Sequence, residues 1–399
     1  MGNEANSSSS APAMSADGRF IAFHSDANLV ANDDAPYDVY LHDRNTGTTS
    51  RASDSPCSPD RYSSFHPAVS VDGRFVAFDS GNAFCTNSEG VGGVFLHDQQ
   101  QTHPNGAERV SMDNSGNPKW GQSPSISGNG RLVAFESTDP GLLGGCGAGC
   151  GDTNGASDIF VRDSQAGTTR RISVDSFGNQ SNGASYWPVI SADGRFVAFR
   201  SVADNLVANN TSDSSGDVFV HDLQTGETEL VSVRSTGASG NGWSGHPAIS
   251  TDGRFVAFTS DASNLVLSDT NGWEDVFVRD RQTQTTERVS VATNGEEGGS
   301  ISDVPAISGT GRFVAFQSTA SNLINGDTNG VVDIFLHDRE SGVTVRISES
   351  ETGAQADAGS FGPAPISGQR PLRSLHVCGH QPCFRRHECV PRCFRPRPG

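Results

Sequence analysis

Short apolar runs separated by turn signals recur along the whole chain, and one stretch shows the pattern clearly. An apolar run at 247–250 is followed by Asp252-Gly253 and then by a second run at 254–260. Asp-Gly between apolar runs is a strong hairpin signal, because both central residues of the tight turn take positive φ. Further runs at 275–279 and 287–291 complete a group of four predicted β-strands.

The second predicted strand is apolar on both of its faces. Phe255 and Ala257 point to one side and Val256 and Phe258 to the other, because side chains alternate along a strand. A strand of this kind belongs in a sheet that is covered on both sides. The fourth predicted strand alternates polar and apolar residues, which indicates a strand with one side facing water.

This group of strands occurs six times. The string G-R-F-V-A-F, with small variations, starts at six glycines that are 55, 57, 64, 59 and 58 residues apart: Gly18, Gly73, Gly130, Gly194, Gly253 and Gly311. Each is followed by a second string of the type D-V-F-V-H-D. A repeat of this length indicates units that bury their faces against their neighbours. The pattern predicts an all-β fold, a β-propeller of four-stranded blades; a β-solenoid is the alternative, although its repeats are shorter.

The two strings together resemble a known family. S-A-D-G-R-F-V-A-F followed by D-V-F-V-H-D is similar to the TolB-like (WD-repeat-like) β-propeller repeat, in which S-P-D-G-x-x-I-A-F precedes an I-Y-V-M-D strand. The resemblance covers residues 11–367 and implies the propeller fold. It says little about function, because such propellers serve in transport, in proteases and in secreted proteins.

The last 31 residues differ in composition from the rest, with seven arginines, four cysteines and one acidic residue. A disordered basic tail and a zinc site are two interpretations. A third is a frameshift, because moving the reading frame by one base can turn 372–376 into F-V-A-F-T and 392–397 into D-V-F-V-R-D. We therefore expect a propeller over 1–368, with six complete blades and a truncated, frameshifted seventh, and a non-native, disordered tail over 369–399.

The amino terminus also starts within a repeat. Residues 2–15 match the connector and first strand at 178–191, so we expect the chain to be a fragment of a longer reading frame. The absence of a signal peptide then says nothing against export. Two local disulfides, Cys57–Cys85 and Cys146–Cys150, are expected and fit an exported protein.

Charge and hydropathy argue against two classes of partner, nucleic acids and membranes. The chain carries 28 basic and 46 acidic residues, a net charge of −18. Binding to nucleic acid or to an anionic membrane depends on basic residues, so we expect neither as a partner. No apolar run is long enough for a membrane span, and we expect no membrane insertion.

The loops after the second strand of three repeats carry D-T-N-G-x-x-D. Carboxylate and amide oxygens around a glycine turn suit a hard cation such as Ca²⁺. The alternative is an Asx-turn in which the same oxygens accept hydrogen bonds from loop amides. The candidate ligands are Asp152, Asn154, Asp158, Asp269, Asn271, Asp275, Asp327, Asn329 and Asp333.

Blade-specific residues are the better candidates for a ligand site. The long connections follow the second and fourth strands of each repeat, so they lie on one face of the propeller, the loop-rich face. Aromatic and histidine residues are placed on this face near the expected axis, just before the first strand of three repeats: Phe65, His66, Tyr186, Trp187, Trp243 and His246. Exposed aromatic residues suit stacking on a sugar or a peptide, although they could simply pack the connectors. The His-Asp or Arg-Asp pair that ends each third strand is interpreted as a turn cap, because arginine cannot act as a base.

These observations favour a secreted or periplasmic bacterial β-propeller that is a non-enzymatic binding or scaffold module. Its partner would be a protein or a carbohydrate at the loop-rich face, and Ca²⁺ would be its only cofactor. The alternative is a propeller hydrolase or lyase with its site at the axial mouth. Two or more blade-specific acids or histidines within hydrogen-bond reach would favour the enzyme, whereas an aromatic, neutral rim would favour binding.

Overall fold

A computed structural model describes residues 8–30, 37–54, 63–81, 92–101, 106–144, 151–208, 210, 215–350, 353–362 and 364–366. These residues form six antiparallel sheets of four strands each, in chain order within every sheet. The predicted all-β propeller of six four-stranded blades is confirmed. Within the same residues no helix has the length and apolar character needed to span a membrane.

Each blade uses four consecutive strands. The first three blades comprise β1 (Ser9–Met14), β2 (Phe20–Ser25), β3 (Asp38–Asp43) and β4 (Thr48–Arg51); β5 (Ser64–Val69), β6 (Phe75–Ser80), β7 (Gly93–Asp98) and β8 (Glu108–Arg109); and β9 (Gln122–Ile126), β10 (Leu132–Ser137), β11 (Asp158–Asp163) and β12 (Thr168–Arg171).

The last three blades repeat this order. They comprise β13 (Ser185–Ile190), β14 (Phe196–Ser201), β15 (Asp217–Asp222) and β16 (Thr228–Leu230); β17 (Ser244–Ile249), β18 (Phe255–Ser260), β19 (Asp275–Asp280) and β20 (Thr285–Arg288); and β21 (Ser302–Ile307), β22 (Phe313–Ser318), β23 (Asp333–Asp338) and β24 (Val343–Arg346).

The fourth strand of a blade ends earlier than its sequence pattern predicts. In the fifth blade the expected strand is 287–291, but β20 ends at Arg288. Val289 turns inward and is fully buried in the apolar cluster between the fifth and sixth blades. The hydroxyl of Ser290 donates to the carboxylate of Asp275 over 2.6 Å. Burial between blades therefore overrides the local alternation.

The apolar core lies between blades, as the two-faced second strand predicts. Val256 and Phe258 pack against Val218 of the fourth blade, whereas Ala257 faces the sixth blade. Equivalent clusters join each blade to the next from the first to the sixth. Each blade from the second to the fifth is thus stabilised mainly by its two neighbours.

The two ends of this series differ from its middle. No apolar cluster of the described residues joins the sixth blade to the first, and Ile21 and Phe23 on the outer face of the first blade stay partly exposed. Ala364 and Ile366 pack against Phe313 on the free face of the sixth blade. A seventh blade is not present among these residues, and the predicted tail over 369–399 lies outside them.

An arginine–aspartate pair closes the end of every blade where the tight turn between the first and second strands lies. The arginine after the turn glycine pairs with the aspartate that ends the third strand, with N–O distances of 2.6–2.7 Å, in Arg19–Asp43, Arg74–Asp98, Arg131–Asp163, Arg195–Asp222, Arg254–Asp280 and Arg312–Asp338. The aspartate also accepts turn amides, as Asp222 does from Gln224 over 2.8 Å. The turn-cap interpretation of these aspartates is confirmed.

Because of these arginine–aspartate pairs, we expect the stability of the folded protein to fall at acid pH. Burial alone would raise the pKa of Asp222, but hydrogen bonds from Arg195 and from turn amides lower it to about 2. A lowered pKa means that the pair adds stability above the unfolded pKa of about 3.9 and loses it as the pH falls towards 2. We expect Asp222→Asn to be less stable than the parent at pH 7, with the difference shrinking below pH 4. Urea unfolding at pH 7, 5, 4 and 3 measures this, and a difference independent of pH would contradict it.

Candidate functional site

One position of the second strand differs in every blade. The other positions of F-V-A-F-x-S are nearly constant because they pack between blades, whereas x is always polar and never repeated: His24, Asp79, Glu136, Arg200, Thr259 and Gln317. Constant positions maintain the fold. A position that varies within an otherwise sixfold scaffold indicates a role that is not sixfold, such as recognition of a ligand.

A second variable position lies beside the first, in the innermost strand. The residue before the proline of each first strand has positive φ, between 47° and 54°: Ala11, His66, Ser123, Trp187, His246 and Val304. This region is uncommon for residues other than glycine, and the strand register shifts at this point. Such a bulge re-aims the side chain. Because first strands of successive blades contact one another, these residues surround the axis.

Four of the six predicted ligand-binding residues come together around this axis. The ring centroids of Trp187 and His246 lie 4.4 Å apart, and those of Trp243 and His246 lie 5.6 Å apart. Tyr186 and Trp187 are in ring contact at 6.5 Å. Tyr186, Trp187 and His246 lie within β13 and β17 rather than before them, because the bulge lets the first strand begin earlier than predicted.

Arg200 completes this group and was not predicted from the sequence. Its guanidinium carbon lies 5.7 Å from the ring centroid of Trp187 and 5.8 Å from those of Tyr186 and Trp243. Its Nη2 donates to the carbonyl of Ser215 over 2.8 Å. Burial lowers the pKa of Arg200. We call Tyr186, Trp187, Arg200, Trp243 and His246 the tryptophan cluster.

Two glycines make room for the tryptophan cluster. A Cβ atom on Gly245 would lie 2.5 Å from Trp243 and 3.1 Å from Trp187. A Cβ atom on Gly216 would lie 2.7 Å from Nη2 of Arg200. At the position of Gly245 the second and fourth blades carry the large side chains of Phe65 and Tyr186. The cluster therefore depends on small residues placed in the fourth and fifth blades.

The remaining two predicted residues, Phe65 and His66, belong to a separate group in the first two blades. The ring of Phe65 contacts His24 at 5.3 Å and Tyr37 at 5.4 Å. The Nδ1 of His66 lies 2.9 Å from a carboxylate oxygen of Asp79, and this hydrogen bond raises the pKa of His66. The six predicted residues thus form two groups rather than one.

Acidic residues near the axis already have partners in the protein. Asp303 lies 2.7 Å from Nδ1 of His246 and accepts from Thr259 over 2.8 Å. Glu136 is buried and accepts from Gln122 over 2.5 Å and from the backbone amide of Trp187 over 3.2 Å. In His246–Asp303 and in His66–Asp79 a blade-specific histidine and acid lie within hydrogen-bond distance of each other. This is the arrangement that favours an enzyme.

The predicted cation loops hold an arginine among their carboxylates. In the fifth blade Nη1 of Arg288 lies 3.1 Å from Asp275, 3.5 Å from Asp269 and 2.8 Å from Glu297. Asn271 donates to Asp275 over 2.9 Å. Burial and the neighbouring Asp275 raise the pKa of Asp269 to about 6. The guanidinium of Arg288 thus provides, between these carboxylates, a positive charge of the kind that a bound Ca²⁺ would provide.

The other two loops repeat this arrangement. Arg171 pairs with Asp158 over 3.2 Å, while Asp152 accepts the amides of Asn154 and Gly155 in an Asx-turn. In the sixth blade Asn329 donates to Asp333, and Arg346 lies 3.4 Å from both Asp327 and Asp333. Over the described part of the chain, no group of three or more histidine, cysteine or acidic residues has a metal-binding arrangement. The cysteines of both predicted disulfides lie outside the described residues.

Calcium binding by these loops stays a prediction, and it has a direct test. If Ca²⁺ displaces Arg288, a hundredfold excess over the dissociation constant adds about 2.7 kcal/mol to the stability of the folded state. The melting temperature should then rise with calcium and fall with chelator, and Arg288→Gln should enlarge the rise. Asp275→Ala should abolish the fifth-blade contribution alone. If the melting temperature is the same in millimolar calcium and in chelator, for both the parent and Arg288→Gln, the loops do not bind calcium. Their acidic residues then serve only in turns and ion pairs.

Solved structures of other β-propellers resemble this fold at low sequence identity. The oligogalacturonate lyase from Vibrio parahaemolyticus is 12% identical with a TM-score of 0.50, covering 85% of this chain and 77% of that one. The β-propeller domain of the Trilobed protease from Pyrococcus furiosus is 11% identical with a TM-score of 0.50, covering 86% of each chain. TolB from Acinetobacter baumannii is 16% identical with a TM-score of 0.44; the match covers 82% of this chain and 63% of TolB.

No protein-family model and no curated protein sequence matches this chain. The two structures with a TM-score of 0.50 support the β-propeller fold and nothing finer. One of these structures is a lyase and the other a domain of a protease, so the shared fold does not choose among functions. The choice has to come from the residues around the axis.

Proposed function

We propose that this chain is a binding module of an exported protein, and that its axial mouth binds a protein or carbohydrate ligand. The observation that carries the proposal is the convergence of the variable positions. An otherwise sixfold scaffold places its blade-specific side chains around one axis, and there Trp187 keeps 38% of its surface exposed beside His246 and Trp243. Exposed aromatic rings next to hydrogen-bonding groups are typical of recognition sites.

Ligand mapping with two tryptophan variants tests the proposal. The parent protein is applied to glycan and peptide arrays, and the affinities of its ligands are then measured for Trp187→Ala and Trp273→Ala. Trp273 is the matched control, since it is also exposed, at 47%, but lies in a cation loop outside the tryptophan cluster. We expect Trp187→Ala to lose affinity at least tenfold, because a central aromatic contact contributes about 2 kcal/mol, and Trp273→Ala to bind as the parent does. Equal affinity in the parent and Trp187→Ala would contradict an axial site.

The His246–Asp303 pair favours a second candidate function, acid–base catalysis at the same mouth. Asp303 orients the imidazole through Nδ1 over 2.7 Å, as the orienting carboxylate of a general base does. A ligand found on the arrays should then be converted into a product detectable by mass spectrometry. His246→Gln should bind this ligand and leave it intact. An unchanged ligand after prolonged incubation with the parent protein would contradict catalysis and leave the binding function.

A further inference from the structure

The guanidinium of Arg200 offers five N–H donors, and the described residues accept a hydrogen bond from only one of its nitrogens, Nη2. The other variable residues of the second strands each have a polar side-chain or backbone partner: His24 with Ser10, Asp79 with His66, Glu136 with Gln122, Thr259 with Asp303 and Gln317 with the amide of Gly362. Among the described residues Nε of Arg200 is buried without an acceptor, and no carboxylate is within salt-bridge distance. Within the same residues, only the carbonyl of Ser215 accepts a hydrogen bond from its guanidinium.

Over the described part of the chain, Arg162 and Arg279 are also buried without an ion pair and donate to carbonyl and hydroxyl oxygens, but unlike them Arg200 has a buried nitrogen without an acceptor. The arginines of the six turns all have aspartate partners, as Arg195 does with Asp222 in the same blade. Burying a charge is costly unless it is paired and hydrogen-bonded. The six-blade scaffold accepts other polar residues at this position, so nothing in the fold itself requires arginine there. Asp217 attracts the guanidinium only from beyond salt-bridge distance, so a ligand carboxylate would supply the direct ion pair that Arg200 lacks among the described residues.

The surroundings of Arg200 define the shape and the charge of that partner. Three aromatic rings lie within 5.8 Å of the guanidinium carbon, which suits a ligand whose charged group is next to a ring that can stack on an aromatic side chain. A guanidinium binds a carboxylate through two parallel hydrogen bonds. The carboxylate of Glu136 lies on the third blade and that of Asp303 on the sixth, and the whole chain has a net charge of −18, so a strongly anionic polymer would be repelled.

Building on the proposed function, we propose that the tryptophan cluster binds a ligand with one carboxylate next to a ring whose face can stack on an indole. Arg200 pairs with the carboxylate, and Trp187 and Trp243 contact the ring. The ring could belong to an acidic sugar or to an aromatic acid, which share this chemistry. Gly216 and Gly245 serve this site by leaving space for the arginine and for the two indoles.

Calorimetry with matched pairs of probes tests the proposal. The acids are glucuronate and indole-3-acetate, and the neutral controls are glucuronamide and indole-3-acetamide, which keep the ring and replace the carboxylate. For probes of this size a dissociation constant of about 1 mM is expected at ordinary ligand efficiency. We expect one acid to bind at least tenfold more tightly than its amide. Which acid binds identifies the ring.

Two variants connect this difference to Arg200. Arg200→Gln introduces the side chain that the sixth blade carries at the same position, Gln317, so the fold tolerates it. This variant should bind acid and amide equally, whereas Trp187→Ala should weaken both and Trp273→Ala neither. An acid preference that survives Arg200→Gln would overturn the proposal, as would failure of both acids to bind.

The outcome also separates this proposal from the proposed function. If acid and amide bind equally and Trp187→Ala abolishes both, the axial site is real and the role of Arg200 is wrong. If the arrays yield ligands that respond to Trp187→Ala but neither acid binds, the carboxylate inference is again overturned and the binding function stands. Ligands insensitive to Trp187→Ala would overturn both.

Discussion

Replacing Gly253 with alanine should lower the free energy of unfolding by about 2–5 kcal/mol. Gly253 lies in the turn after β17 with φ of +71°, where a Cβ atom costs about 1–2 kcal/mol. That atom would also lie 2.1 Å from Cδ2 and 2.6 Å from Cγ of Phe196 in the preceding blade. The Phe196 ring is held by the guanidiniums of Arg195 and Arg281, so it cannot move away freely. Overpacking of this kind adds about 1–3 kcal/mol.

Gly272→Ala is the matched control for the clash. Gly272 has the same φ of +71°, but no atom lies within 4 Å of its added Cβ. It should therefore cost only the backbone term of about 1–2 kcal/mol. Urea denaturation at a constant m-value measures both variants. If the two variants were equally stable, the added Cβ atom at Gly253 would not clash with Phe196. The close packing of this turn against the preceding blade would then be contradicted.

Phe258→Ala should destabilise the protein by about 3–5 kcal/mol, because a fully buried phenyl ring is replaced by a cavity. Phe258 is completely inaccessible, stacks on Phe277 with centroids 5.8 Å apart and packs against the fourth blade. In every blade from the second to the sixth the equivalent phenylalanine is buried to the same degree. The loss combines the transfer free energy of the ring with the contacts that its neighbours no longer make.

Phe23→Ala is the matched control for this loss. Phe23 occupies the same strand position in the first blade and stacks on Tyr40 at 5.8 Å, but it stays partly exposed. Because part of the Phe23 ring is already in contact with water in the folded protein, folding removes less apolar surface from water. We therefore expect Phe23→Ala to lower the free energy of unfolding by about 1–2 kcal/mol less than Phe258→Ala does. Equal losses in the two variants would show that the outer face of the first blade is covered in solution.

The site was only partly predictable from the sequence. Trp187 and His246 stand out because large aromatic and histidine residues interrupt an otherwise regular repeat. Arg200 and Asp303 do not, since a polar residue near the end of a short strand has no local pattern. Aligning the six copies of F-V-A-F-x-S would have revealed Arg200, because only that position changes its polar residue in every blade. The cation loops show the reverse case, in which Asp269 and Asp275 matched a ligand pattern but Arg288, distant in sequence, lies between them.

The sequence by itself determined the repeat, the four strands of each blade and the apolar character of both faces of the second strand. These features depend on residue spacing and on side-chain alternation, which are local properties. Only the tertiary structure decided where the fourth strand ends, which side chains surround the axis and which charges are paired. Val289 is buried against the next blade although its strand ends at Arg288, and Arg200 meets Trp243 because packing brings the fourth and fifth blades together. Contacts between residues far apart in the chain are set by packing, which no local pattern encodes.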